Sequence, residues 1–171
     1  MKKNIKIHKG FTLIELLVVV AIIGIISSIG VVAYNGYTNA AKRNATIAQH
    51  KTAVKFIKHK LAMCMINGGV LSISSKHSID CDIDNNAGGI NDLNNTFIDY
   101  LLDQGWKNPY GDKSPVVYTG RNSSKDFNGR MRFDETECSG GSSKKQIALW
   151  VKTHKDEDYK PTLISMDGWC N

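Results

Sequence analysis

The chain has 171 residues, 42% hydrophobic and 22% charged, a balance that excludes a disordered chain and leaves room for one domain plus an appendage. Its net charge of +6 is concentrated at the start: residues 1–10 hold four lysines and no acid, and the remainder carries eighteen basic against sixteen acidic side chains, a net of +2. That remainder is too weakly basic to indicate a nucleic-acid-binding domain, and a multi-span membrane protein is excluded because no second stretch approaches the roughly 20 apolar residues a span requires.

The opening segment MKKNIKIHKG is short, basic and ends in glycine. FTLIELLVVVAIIGIISSIGVVA follows over residues 11–33, 23 residues with a single charged side chain, Glu15. As a helix it spans roughly 34 Å, enough for a bilayer core of about 30 Å. Lysines before the span and a polar region after it predict an N-inside orientation, with the bulk of the protein outside the cytoplasm. A removable secretory signal has an apolar region of about 7–15 residues closed by a small-residue cleavage site; this run is longer and lacks that site. An uncleaved anchor fits the length but gains nothing from Glu15, whose carboxylate costs on the order of 2.5–3.5 kcal/mol at a helix centre and less near its end. A cut between Gly10 and Phe11 changes the balance. The new α-amine lies four residues from Glu15, on one face if both are helical, and the carboxylate sits near the positive end of the helix dipole.

Beyond Tyr34 the helical period continues while hydrophobicity falls. Ile47, Val54, Ile57, Leu61 and Met65 recur at helical spacing, and residues 67–69, Asn-Gly-Gly, stop the pattern. The expectation is one helix over residues 11–66. Lys51, Lys55 and Lys58 form a basic stripe beside the apolar one, which reads as a solvated face rather than a DNA contact. Residues 67–90 read as a loop. Ile90, Leu93, Phe97 and Leu101 predict a short amphipathic helix ending at Gly105. Strand-like runs follow at 115–119, 131–133, 146–153 and 162–166, separated by Ser-, Gly- and Asn-rich loops, so an antiparallel meander is expected. The fold class is α+β: a long N-terminal helix, apolar in its first half and amphipathic in its second, packed on a small antiparallel β-sheet head.

Four cysteines in an exported head, Cys64, Cys81, Cys138 and Cys170, read as two disulfides, with three connectivities possible. No pair has the C-x2-C spacing usual in zinc sites. Residues 80–86 begin like a calcium loop, but Asn85 and Asn91 stand where an EF-hand needs glycine and glutamate. His50, His59, His77 and His154 have no metal-binding spacing, and no nucleophile is marked by a neighbouring base. No catalytic residue, metal or cofactor is expected.

The basic leader, the run K-G-F-T-L-I-E-L-L-V-V-V-A-I-I-G-I-I and the polar region after it resemble a type IV prepilin, most similar to the type IVa class, over residues 1–43. The resemblance implies a pilin fold, cleavage after Gly10 by a prepilin peptidase, N-methylation of Phe11, and polymerisation through the apolar helix by the pilus assembly machinery. It implies that Glu15 pairs with the N-terminal amine of a neighbouring subunit. Residues 1–10 are then the leader, 11–38 the transmembrane and assembly half of the helix, and 39–171 the head. The chain departs from many relatives in lacking a proline near the end of the apolar run. Gly24, Gly30 and Gly36 there serve either local helix melting or close helix packing.

The turn Trp106-Lys107-Asn108-Pro109-Tyr110 resembles a W-x-N-P-Y element of pilins and major pseudopilins. The favoured disulfides are Cys64–Cys81 and Cys138–Cys170, the second as in pilins whose C-terminal segment is closed by a disulfide. The expected product is a helical homopolymer, a filament at the cell surface drawn from the cytoplasmic membrane, serving adhesion, twitching motility or DNA uptake. The alternatives are a major pseudopilin of a type II secretion system and a minor pilin that binds DNA.

Overall fold

The computed structural model describes residues 10–81, 89–111, 117–119, 128–137, 145–153 and 160–164. In chain order they form α1 (Leu13–Asn67), β1 (Val70–Ser72), β2 (Ser78–Asp80), α2 (Gly89–Asp103), β3 (Val117–Thr119), β4 (Met131–Glu137), β5 (Lys145–Val151) and β6 (Lys160–Ile164). The architecture is the expected α+β pilin-like one, a long N-terminal helix with small, mainly antiparallel sheets. The chain divides into two units, one ending at Ala40 and one beginning at Ala41.

The first unit is the apolar part of α1. Its best window has a mean hydropathy of 2.9, is long and apolar enough to cross a membrane, and has none of its residues buried. Leu13 and Ile29, near its two ends, are 89% and 67% exposed. Gly24, Gly30 and Gly36 face open space and do not interrupt the helix.

The second unit has a core of its own. α1 contributes Thr46, Ala53, Ile57, Leu61 and Cys64. The buried face is thus centred about one position before the apolar stripe of the sequence, and only Ile57 and Leu61 belong to both. Small residues explain the offset: Thr46, Ala53 and Cys64 let neighbouring elements approach the helix backbone closely, while larger Val54 packs at the margin and Met65 is 49% exposed. α1 ends where Gly68 N–H donates to the Cys64 carbonyl at 2.8 Å.

β1 and β2 pair antiparallel, with Leu71 opposite Ile79, in a segment whose sequence reads as loop. Each strand has three residues, too few to display an alternating pattern. The hairpin turn is built by Ser74, whose Oγ accepts from the N–H groups of Lys76 and His77, each at 3.2 Å. Its far end is joined covalently to the helix: Cys64 and Cys81 form a disulfide, Cα atoms 5.3 Å apart and 17 residues apart in sequence. Cys138 and Cys170 lie outside the described residues, as do His154 and most of the acidic loop after Cys81.

α2 buries Ile90, Leu93, Phe97 and Leu101. It closes in a Schellman motif, with Gly105 N–H bonded to the Leu102 carbonyl at 2.9 Å and Trp106 N–H to the Leu101 carbonyl at 3.4 Å. Gly105 has φ 75°, a left-handed conformation costly for any residue with a Cβ. Across the two helices Phe56 stacks on Tyr100, centroids 4.7 Å apart. His77 Nε2 lies 3.0 Å from Asp103 Oδ2 and holds that carboxyl below the usual carboxylate range.

The four-stranded sheet has the order β3-β4-β5-β6. β4 to β6 form the expected antiparallel meander, but β3 runs parallel to β4, with Val117 opposite Met131. The eleven residues between them, 120–130, approach the dozen that a parallel return needs, which a tight hairpin would not use. Met131, Phe133, Ile147, Leu149 and Ile164 are buried and join the two helices in one core. Trp106 packs against that core. Its turn is locked to the sheet by Asn108, whose Oδ1 accepts from Tyr110 N–H at 3.0 Å and whose Nδ2 donates to the Asn128 carbonyl at 2.9 Å. Tyr110 Oη donates to the Thr153 carbonyl at 2.6 Å. Gly129, at φ 79°, is required here twice over: a Cβ would also strike Asn108 Oδ1.

His50 is half-buried beside the α1 core face, and its Nε2 donates to the Leu149 carbonyl at 3.3 Å. Burial pushes its pKa below the ordinary 6.5, against a smaller upward pull from the Leu149 carbonyl.

Two predictions follow for a head beginning near Asn39, which keeps the whole core and all four cysteines and is expected to be soluble. Cys64→Ser should lower its stability by about 3 kcal/mol, the chain-entropy value for a loop of this length, read as a fall in the urea midpoint. His50, with its folded pKa depressed, should stabilise fully above about pH 6.5 and progressively less as pH falls from there towards the folded value, because only the unfolded chain takes up the proton. His50→Gln should flatten that limb of the stability curve; an unaltered slope would refute the assignment.

Candidate functional site

α1 begins at Leu13, two residues after Phe11, so helix periodicity does not carry the relation between Phe11 and Glu15 that the sequence suggested. A capping box carries it instead. Thr12 is the N-cap: its Oγ1 accepts from Glu15 N–H at 3.3 Å, and its carbonyl takes the first helical bond, from Leu16 N–H, at 3.2 Å. Glu15 reaches back. Its Oε2 accepts from Thr12 N–H at 2.8 Å and from Thr12 Oγ1 at 2.7 Å.

This reciprocal arrangement satisfies two backbone donors that a helix start otherwise leaves open, and a cap of this kind contributes about 1 kcal/mol. It also gives the carboxylate two donors and the positive end of the helix dipole without any cut in the chain. Glu15 therefore has a local partner as well as any partner supplied by processing. The residue the sequence reading passed over is Thr12. The signal was present as T-x-x-E immediately before an apolar run, the sequence form of a capping box.

Gly10 and Phe11 lie outside the helix, with Phe11 80% exposed and open space around Gly10. The peptide bond between them thus sits in non-helical, accessible backbone directly before the cap. An amine created at Phe11 would be one residue from the Thr12 N–H that Glu15 already holds. The capping box aims the carboxylate at the place where the new charge would appear.

The other sequence candidates are spread through the head. Cys64 and Cys81 are joined, His50 and His77 have the partners given above, and Lys51, Lys55 and Lys58 are exposed on α1. Among the described residues no group of three or more His, Cys, Asp or Glu side chains is placed to hold a metal ion.

No solved structure matches the chain. A family model does match its start: residues 5–31 fit the prokaryotic N-terminal methylation motif, the stretch that contains Gly10, Phe11, the Thr12–Glu15 box and most of the apolar half of α1. That match over the N-terminal segment supports a type IV pilin-like prepilin.

Proposed function

We propose that the chain is a structural pilin subunit, cleaved after Gly10, N-methylated at Phe11 and polymerised into a type IV pilus filament. One observation carries the reading: the methylation motif coincides with the apolar part of α1, a stretch long and apolar enough to cross a membrane and with none of its residues buried among the described residues. Such a surface needs lipid before assembly and neighbouring helices afterwards. Residues 1–10 act as the leader, 11–38 as the membrane and assembly half of the helix, and 39–171 as the head on the filament surface outside the cell. The partners are a prepilin peptidase, the pilus assembly machinery, the membrane and further copies of the same chain. A pseudopilin in a type II secretion system shares the motif and the Trp106–Tyr110 turn. It has no separate support here, nor does a DNA-binding role resting on the Lys51, Lys55 and Lys58 stripe.

Processing is read directly by mass spectrometry. The mature protein should start at Phe11 and carry one added methyl group; residues 1–10 still attached in assembled filaments would overturn the proposal.

In the assembly step Glu15 pairs with the Phe11 amine of an adjacent subunit, a cation at neutral pH because its reference pKa is about 7.7–8. Leaving that charge unpaired in a low-dielectric layer costs roughly 3 kcal/mol, about a hundredfold in the docking equilibrium. Glu15→Ala should leave membrane insertion and leader cleavage intact while mature subunit accumulates in the membrane with few or no filaments. Glu15→Gln separates two causes. Glutamine can still complete the capping box but has no charge, so this variant should fail as Glu15→Ala does. Filaments restored by glutamine would assign Glu15 to helix capping alone.

A further inference from the structure

α2 and the β1–β2 hairpin enclose a groove of about 360 Å³, lined among others by Val70, Asp80, Asp92, Asn95 and Asp99. Asp92 and Asp99 are seven residues apart on one exposed face of α2, about 10 Å along its axis. The same head carries a second feature of the same length and opposite sign. Lys51, Lys55 and Lys58 are exposed on α1, and the outer two are again seven residues apart. Among the described residues no ion pair engages Asp92, Asp99 or any of the three lysines.

We propose that the groove receives the lysine stripe of a second copy of this chain. Lys51 and Lys58 then meet the two aspartates, and Lys55 falls between them, opposite the Asn95 carboxamide. The match in spacing selects this occupant: the acids and the lysines sit on helices with the same rise, so one register satisfies both ends. The two surfaces are different patches present on every copy, so a heterologous contact between them repeats from subunit to subunit and builds an open filament where the rotation does not close. It rests on the filament reading and deepens it by assigning a head-to-head register. Exposed ion pairs are individually weak, so the apolar helices drive association while this contact sets how adjacent heads are placed.

The test uses the full chain in cells, with filaments counted by electron microscopy and mature subunit by immunoblot. Wild-type subunits are also treated with a carbodiimide, which joins a carboxylate to an amine in direct contact. Asp92→Lys with Asp99→Lys, and separately Lys51→Glu with Lys58→Glu, should each lower filament number by about tenfold at unchanged subunit level, because like charges then face each other. Asp99→Lys alone, clear of the first turn of α2, should give a smaller loss in the same direction. All four substitutions together should restore filaments, and carbodiimide should yield covalent dimers joining Asp92 or Asp99 to the lysine stripe. Wild-type filaments that lack such dimers and tolerate either reversal would overturn the contact and leave the filament reading standing. Loss on both reversals without recovery in the combined variant would also overturn it, since the two faces then meet other occupants. Aspartate–lysine dimers from a chain that makes no filaments would support the contact and overturn the filament reading.

Discussion

An apolar stretch of helix with none of its residues buried among those described is the constraint on which the rest of this molecule turns. From Leu13 to beyond Ile29 its large side chains are exposed, and no rearrangement of a single head is needed to explain why. The head is already closed. Its core takes α1 only from Thr46 onward and completes itself with α2, the hairpin and the four-stranded sheet. A molecule built this way divides in two. The head folds by burying its own side chains, whereas the first half of the helix is exposed and is long and apolar enough to cross a membrane.

The capping box belongs to the same constraint. A helix entering an apolar layer exposes N–H groups with no intrahelical partners, and a carboxylate there is costly alone. Thr12 and Glu15 answer each other, so the helix starts cleanly and the charge is solvated by the chain itself. The arrangement is local to four residues and does not depend on the head.

Much of this was legible in the sequence because long patterns survive single exceptions. The helix expected over residues 11–66 runs over Leu13–Asn67, and the amphipathic segment ending at Gly105 is α2. What was not legible has identifiable causes. Hydrophobic periodicity finds large residues, so it placed the core stripe on Ile47, Val54 and Met65, whereas close packing had selected their smaller neighbours. Three-residue strands hid the hairpin, and the parallel direction of β3 depends on a pairing partner fourteen residues away rather than on anything within the strand. At the N-terminus the apolar run shows the cost of Glu15, while its partner Thr12 is marked only by the short T-x-x-E pattern.

The bond between Cys64 and Cys81 has a mechanical meaning. Tension entering a head through α1 reaches Cys64 in the last turn of the helix and crosses directly to Cys81. The intervening hairpin lies off the load path. Roughly 55 Å of extended backbone is thereby kept out of reach of a pulling force, however weak the short β1–β2 ladder is by itself. Reduction of that one bond would let the hairpin take up slack at the end of the helix, while Ala53, Ile57 and Leu61 keep α1 packed in the head core.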